Sequence, residues 1–201
     1  MHATEPDLDR DARLIECAAK LFIEGRRVEA LEALGQVDTA SMPKRVSPSV
    51  GARGKSVPKA TRVRPLSPRK AKELSLGVFR ADRWTCCYCG RLLVSPRVLE
   101  LVARLAGPAF PLKPGWNMKR DPAINHPAIE RLYPNLEHVN PRSGGGTHEE
   151  DNLRASCTPC NEQKNARIGY EPLPVAAGWD GLEGLVAAML ERCERDELML
   201  P

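Results

Sequence analysis

The most informative segment of the chain reads Glu137-His138-Val139-Asn140-Pro141-Arg142-Ser143-Gly144-Gly145-Gly146-Thr147, continues with Asp151-Asn152-Leu153, and ends with Cys157-Thr158-Pro159-Cys160-Asn161-Glu162-Gln163-Lys164. It combines a carboxylate beside a histidine, several asparagines and a Cys-x-x-Cys pair. A second pair, Cys86 and Cys89, lies upstream. Two such pairs suit one tetrahedral zinc ion, because each pair clamps the ion through a short turn. The sequence therefore predicts a structural zinc bound by Cys86, Cys89, Cys157 and Cys160.

Residues 83–90 and 136–165 resemble the zinc-knuckle branch of the HNH endonucleases, the ββα-metal nucleases. The family pattern runs Cys-x-x-Cys, then Asp/Glu-His before a proline and a glycine-rich loop, then Asn-Leu, then Cys-x-x-Cys followed by His or Asn and a lysine. Glu137 stands where many members have Asp, and Asn161 stands where the family name has its final His. The resemblance implies an α+β fold, with a small ββα-metal core and a four-cysteine zinc knuckle surrounded by helices.

The resemblance also implies a metal-dependent DNA endonuclease that uses one metal ion and leaves 5′-phosphate and 3′-hydroxyl ends. His138 is the natural general base, because an imidazole titrates near neutral pH. Glu137 and Asn161 offer oxygen ligands suited to Mg²⁺, for which Mn²⁺ is a substitute. By the family pattern, Asn152 braces the loop by hydrogen bonds and so fixes His138. The family implies a prokaryotic or phage source.

The geometry of a strand limits how Glu137 and His138 can act together. Adjacent residues of a regular strand face opposite sides, so both can serve one site only where the strand ends and bends. Pro141 and Gly144–Gly146 supply that bend. The second strand is expected over Leu153–Ser156, and the helix that presents Asn161 is expected over 158–166.

Charge is distributed unevenly along the chain and points to DNA as the partner. Residues 41–72 carry ten bases and no acid, whereas residues 1–40 carry nine acids and five bases. A uniformly basic segment neutralises phosphates and releases counterions. A solubilising linker is the alternative interpretation. Within the nuclease segment, we expect Lys164, Arg142 and Arg167 to contact DNA.

The expected domain organisation has three parts. Residues 1–40 form an acidic helical hairpin, which suits a homodimer or protein contact or simply packs on the main domain. Residues 41–66 form a basic flexible linker. Residues 67–201 form the HNH nuclease domain, with an insertion at 91–135 and a C-terminal helix near 180–198.

Apolar periodicity and helix-start signals predict the individual helices. The hairpin spans 7–35, with Val28 on its apolar face. Ser67-Pro68 begins a helix over 68–81, Ser95-Pro96 begins one that Gly107 ends, and a short helix is expected over 127–132. In the insertion, we expect either nucleic-acid contacts or a bracing role. The residues concerned are Lys113, Trp116, Lys119 and Arg120.

The chain shows no N-terminal signal peptide and no apolar run near the ~18 residues that span a bilayer. We therefore expect a cytoplasmic protein without a membrane partner, in which paired cysteines bind metal rather than form disulfides. Cys17 and Cys193 are expected to be small buried hydrophobes, and Cys87 is expected to face away from the zinc. His148 is expected to be exposed to solvent, and His126 is expected to cap a helix.

A second function remains open at this point. The chain is alternatively a zinc-stabilised DNA-binding module with weak or no nuclease activity, which the longer Glu137 side chain favours slightly. Retention of His138 and Asn161 favours the enzyme, because a binding module needs neither a base nor a metal ligand.

Overall fold

The computed structural model describes residues 9–40, 58, 63–113, 124–165, 171–175 and 178–198. Over these residues the chain is α+β, with seven α-helices and one two-stranded antiparallel sheet, as predicted. The elements are α1 (Arg10–Ile23), α2 (Arg27–Leu34), α3 (Pro68–Ala81), α4 (Pro96–Ala106), α5 (Ile129–Leu132), β1 (Pro134–His138), β2 (Leu153–Cys157), α6 (Thr158–Lys164) and α7 (Val186–Leu198).

The chain divides into two compact units, each built from segments distant in sequence. The helical unit comprises Met1–Met42, Leu92–Tyr133 and Asp180–Pro201. The sheet unit comprises Pro43–Arg91 and Pro134–Trp179. The predicted domain boundaries, and the predicted dimer contact through the hairpin, stay predictions.

The hairpin of the helical unit forms as its periodicity predicts. One face of α1 is buried, including Ile15 and Phe22. Val28 does not share the buried face of α2, since 68% of it is exposed, and Ala30 and Leu34 are buried instead. The prediction that Cys17 is buried is also wrong, because Cys17 is exposed on the outer face of α1.

The remaining helices of this unit follow their sequence signals. Pro96 occupies the first turn of α4, and the helix ends where Gly107 adopts a φ of +60°. The apolar stripe of α4 is buried along its length. The α7 face buries Met189 and Cys193, the latter as predicted.

One buried arginine ties the hairpin to the rest of the helical unit. The Arg131 guanidinium donates to Asp11 Oδ2 at 2.9 and 3.1 Å, and it also donates to the carbonyl oxygens of Asp38 and Ala40. Because an arginine presents five donors in a fixed plane, a single side chain can hold α1 and the segment after α2 together.

The sheet unit has the predicted strand, strand, helix order. Ser67 Oγ accepts from the Lys70 backbone N–H at the start of α3. β1 and β2 pair antiparallel, with Glu137 opposite Arg154 and His138 opposite Leu153. α6 follows β2 without a connecting loop, so its first turn lies directly at the end of the sheet.

Asp82, at the end of α3, joins that helix to β2. Its carboxylate accepts from Arg154 Nε at 2.7 Å and from the Ala155 backbone N–H at 2.5 Å. Asp82 is buried, so the two hydrogen bonds replace the water that the carboxylate loses. The sequence motifs do not predict this contact.

Several predictions concern residues outside the described ranges. These are most of the basic linker (41–57 and 59–62), the insertion residues Trp116, Lys119 and Arg120, and Arg167. Among the described residues, none of the helices combines the length and the apolar character that a bilayer span requires.

Candidate active site and metal centres

The four predicted zinc ligands meet at one point of the sheet unit. Cys86, Cys89, Cys157 and Cys160 each offer one Sγ atom, and these atoms lie within 4.8 Å of one another. Cys89 Sγ lies 3.9 Å from Cys157 Sγ. Tetrahedral zinc with Zn–S bonds of ~2.3 Å separates its sulfurs by ~3.8 Å, so the cluster fits the ion. Four thiolates leave no position for water, and such a zinc is structural.

Backbone hydrogen bonds form the turn that carries Cys86 and Cys89, the first cysteine pair of the cluster. The Gly90 N–H donates to the Cys86 carbonyl, and the Cys86 N–H donates to the Arg91 carbonyl, both at 2.9 Å. Gly90 directly follows Cys89 and has a φ of +72°, a conformation that closes the turn carrying the two cysteines. The second pair follows from the junction of β2 and α6, since Cys157 ends the strand and Cys160 lies in the first turn of the helix.

Cys87 lies between two ligands in sequence but outside the cluster. Its backbone N–H donates to the Ala155 carbonyl at 2.8 Å, which attaches the turn to β2. Burial raises the pKa of the Cys87 thiol, so the group stays neutral. The prediction that Cys87 is a spectator is therefore confirmed.

Glu137 and His138 occupy the last two positions of β1. The Glu137 carboxylate is buried and accepts from Lys164 Nζ at 2.5 Å. Lys164 is fully buried, and its ammonium also donates to the His138 carbonyl oxygen. Burial raises the pKa of Glu137, and the adjacent Lys164 ammonium opposes that rise.

The position of Lys164 differs from the predicted contact with a DNA phosphate. Its ammonium has no exposed surface and is bound by two oxygens of the protein itself. α6 therefore directs Lys164 inward, where it neutralises a buried carboxylate. Spacing alone placed Lys164 on the helix that carries Asn161 but did not show in which direction its side chain extends.

His138 is half-buried at the point where β1 ends. Burial, followed by electrostatic interactions with His148, Arg142 and Lys164, lowers its pKa to about 4. The imidazole is therefore unprotonated at neutral pH and can accept a proton. Its Nε2 lies 3.0 Å from His148 Nδ1. His148 is half-buried and in contact with His138, so the prediction that it is simply exposed to solvent is wrong.

Asn152 holds the loop between the two strands closed. Its Oδ1 accepts from the Asn140 N–H at 2.7 Å, and its Nδ2 donates to the carbonyl oxygens of Asn140 and Thr147 at 3.1 and 2.9 Å. A Cβ at Gly146 would lie 1.8 Å from the Asn140 oxygen, so only glycine fits there. These contacts fix the backbone on both sides of the loop that follows His138.

Asn161 lies in the first half of α6, three residues before Lys164, and so shares a helix face with it. Its Nδ2 is 3.4 Å from the buried Ser156 Oγ. The oxygen atoms of Glu137 and Asn161 are of the type that Mg²⁺ takes, and in this respect the residues fit the ion. However, the Glu137 carboxylate is already paired with Lys164.

Of the two arginines expected to contact DNA, only Arg142 lies among the described residues. Arg142 is half-buried, and its Nη2 donates to the Val63 carbonyl at 2.9 Å. Its guanidinium therefore attaches the glycine-rich loop to the segment before α3. Arg167 lies outside the described residues. His126 of the helical unit accepts from the Ala128 N–H through Nδ1 and stacks on Phe110. The N-cap of α5 is Ala128, without a side-chain hydrogen bond, so the prediction that His126 caps a helix is wrong.

Together, the strand–loop–strand–helix element and its four-cysteine cluster define a ββα-type core with a zinc knuckle. Residues 131–167 match the family model of the HNH endonucleases, which confirms the predicted resemblance. The matched segment includes β1, the loop, β2 and α6. No curated protein sequence and no solved structure matches the chain significantly.

Proposed function

We propose that this protein is a metal-dependent DNA endonuclease that hydrolyses phosphodiester bonds and leaves 5′-phosphate and 3′-hydroxyl ends. The observation that carries the proposal is the setting of His138. An imidazole that burial keeps unprotonated stands at the end of a strand, beside a carboxylate, in a loop that Asn152 braces. The match of residues 131–167 to the HNH endonucleases supports phosphodiester hydrolysis as the reaction.

Each residue of the site has a role in that reaction. His138 takes the proton from the attacking water. Glu137 and Asn161 would hold a divalent cation, Mg²⁺ or Mn²⁺, which when bound supplies positive charge to the phosphate and to the leaving 3′ oxygen. Asn152 fixes the backbone that carries His138. Cys86, Cys89, Cys157 and Cys160 would hold a structural zinc, which when bound would tie the end of β2 and the start of α6 to the first cysteine pair.

DNA binding is assigned to the sheet unit and the basic segment that belongs to it. Residues 41–72 carry ten bases without an acid, which suits contact with phosphates over several nucleotides. Such contacts orient the duplex and add affinity, but they do not read its sequence.

The second candidate function is a zinc-stabilised DNA-binding module without cleavage. One observation favours it, namely the buried pairing of Lys164 with Glu137. An ammonium at 2.5 Å neutralises the carboxylate that a divalent cation would need, so cation binding at Glu137 requires Lys164 to withdraw or to share the group.

A plasmid-nicking assay separates the two functions. The protein is purified with its zinc and dialysed free of other divalent ions, and its zinc content is measured before each reaction. We expect nicking with added Mg²⁺ or Mn²⁺ and none without them. Full-length plasmid under all metal conditions, with DNA binding intact, would establish the binding module.

A further inference from the structure

His148 lies at the centre of a hydrogen-bonded chain that none of the predicted roles includes. Its Nδ1 lies 3.0 Å from His138 Nε2, and its Nε2 lies 2.9 Å from the Arg64 carbonyl oxygen. The two rings meet edge to face, with their centroids 5.0 Å apart. The chain runs from a backbone oxygen, through one imidazole, to the imidazole assigned as the base.

The chemistry of the donors and acceptors determines where the protons lie when both rings are neutral. A carbonyl oxygen can only accept, so His148 Nε2 must carry a hydrogen and donate it to Arg64. A neutral imidazole has one N–H, so His148 Nδ1 is then an acceptor. His138 Nε2 must therefore be the donor, and His138 Nδ1 is left with its lone pair. That Nδ1 atom makes no hydrogen bond to any described residue.

We propose that His148 is a positioning residue that holds His138 in the Nε2–H tautomer and thereby makes Nδ1 the atom that accepts the proton from water. The proposal rests on the proposed function for its catalytic consequence, but the tautomer itself is a property of the resting protein. Without the acceptor at His148, an imidazole is free to populate either tautomer and to rotate, and a fraction of the molecules presents an N–H to the water instead of a lone pair.

His148 is well suited to this task because the structure holds it at both ends. The carbonyl of its neighbour Thr147 accepts from Asn152 Nδ2, which fixes the backbone. The Arg64 carbonyl that orients the ring is next to Val63, whose own carbonyl accepts from Arg142. The glycine-rich loop and the segment before α3 are thus joined twice. A base oriented in this way loses little freedom when the substrate arrives.

The test compares two substitutions of nearly equal shape. In His148→Asn, the amide oxygen takes the place of Nδ1 and can still accept from His138 Nε2–H. In His148→Leu, the same branched outline carries no acceptor. The primary measurement is the ¹⁵N chemical shifts of the His138 ring at pH 8, in the zinc-loaded protein without other divalent ions. A His138→Gln variant assigns the signals.

We expect the Nε2–H tautomer in the wild type and in His148→Asn, and a mixture of tautomers in His148→Leu. The Nδ1–H form in the wild type, or an unchanged Nε2–H form in His148→Leu, would overturn the proposal. Zinc content and the amide spectrum of β1 and β2 show whether each variant is folded.

Single-turnover cleavage gives the second measurement. Loss of a partner that orients a metal-ligating histidine typically costs about 10- to 100-fold. By analogy, we expect His148→Leu to slow cleavage by about this factor at unchanged DNA affinity. His148→Asn should restore most of the rate, which a purely space-filling role does not predict. If the wild type cleaves no DNA under any metal condition, the proposed function fails, while the ¹⁵N shifts still decide the tautomer. If it cleaves and both variants lose equal rate, the positioning role fails alone.

Discussion

The two units of this protein bury very different side chains. The core of the helical unit is mainly aliphatic, with Ile15, Leu99 and Val102 fully enclosed. The sheet unit is built around two strands of five residues each, and its buried groups include Asp82, Glu137 and Lys164 as well as the thiols of the knuckle. The helical unit can draw its stability from apolar area, whereas so small a sheet has little such area to bury.

The buried charges of the sheet unit bear on how the candidate site is held in place. Buried charges add little net stability, because desolvation offsets their attraction, but removal of one partner is costly. The ion pairs Lys164–Glu137 and Arg154–Asp82 therefore fix the positions of α6, β1, β2 and α3 more than they strengthen the fold. We expect a zinc ion bound by the four cysteines to contribute a large part of the stability of the sheet unit.

Loss of the zinc should have the largest effect, namely the unfolding of the sheet unit. Elemental analysis should find about one zinc per chain. Cys157→Ser should unfold β1, β2 and α6, because ~10 kcal/mol or more of metal binding becomes folding energy in small structural zinc sites. Amide hydrogen exchange measured for individual residues should show lost protection in β1, β2 and α6 and retained protection in α1 and α4.

Two cysteines provide controls for this experiment. Cys87→Ser alters a buried thiol between the ligands, and Cys193→Ser alters a buried thiol of the helical unit. Both variants should keep their zinc. Full protection of β2 in Cys157→Ser would show that the sheet unit does not depend on the metal.

Substitution of the base should have the next largest effect, and it should change the rate without changing the fold. His138→Ala should slow cleavage by ~100- to 10,000-fold, which is the usual contribution of a general base. DNA affinity should persist, because the imidazole acts in the transition state. Single-turnover rates and binding isotherms measured on one preparation separate these quantities. Cleavage near the wild-type rate would remove His138 from the mechanism.

Breaking the buried ion pair between Lys164 and Glu137 should have the third largest effect, a loss of folding stability. Lys164→Met leaves the Glu137 carboxylate buried without its cation, a change that typically costs about 3–5 kcal/mol. Chemical denaturation of the zinc-loaded protein measures the loss, and the double variant Lys164→Met/Glu137→Gln should recover much of it. Arg192→Met, which breaks a partly exposed pair with Asp196 in the helical unit, should cost at most about 1 kcal/mol.

The cost of Lys164→Met should depend on pH in a defined direction. Burial raises the pKa of Glu137, and Lys164→Met removes the ammonium that opposes that rise. A folded-state pKa above the unfolded value means that stability is retained below the ordinary carboxyl pKa and is lost as pH rises through the folded value. The difference from wild type should therefore grow from pH 5 to pH 8. Added Mg²⁺ should stabilise the variant more than the wild type, because the freed carboxylate can bind the ion.

Sequence patterns predicted those parts of the structure that depend on local spacing. The helices α1, α3 and α4 follow from their apolar periods and start signals. Each cysteine pair has the spacing of a metal clamp, and the presence of two such pairs predicts one shared site. The match at residues 131–167 agrees with the motif order. Within each helix and within each cysteine pair, the relevant residues are neighbours on one helix or within one turn, whereas the meeting of the two pairs follows from the motif as a whole.

Contacts that depend on tertiary arrangement could not be predicted in this way. His148 meets His138 because a loop braced by Asn152 folds back, and no spacing rule describes that return. Lys164 extends inward because β1 places a buried carboxylate within its reach. The exposure of Cys17 and Val28 likewise depends on which side of each helix its neighbours cover.

The smallest expected effect concerns the basic segment, and it tests whether DNA affinity belongs to one unit. Residues 41–62 carry six bases that can be replaced by glutamine: Lys44, Arg45, Arg53, Lys55, Lys59 and Arg62. Val63 and Arg64 are left unchanged, because their carbonyls accept from Arg142 and His148. Each phosphate contact contributes about −0.9 to the slope of log affinity against log salt on duplex DNA.

We expect only some of these six charges to contact phosphates at any one time, so the slope should shift by only a few units. Site preference should be retained, because phosphate contacts carry no base readout. Binding to matched and scrambled duplexes over a salt series measures both the slope and the site preference. The control neutralises Arg13, Arg26 and Arg97, which form surface ion pairs in the helical unit, and it should leave the slope unchanged. Equal shifts in the two variants would mean that DNA contacts both units. No shift in either would leave the basic segment a spacer and place the affinity in the nuclease core itself.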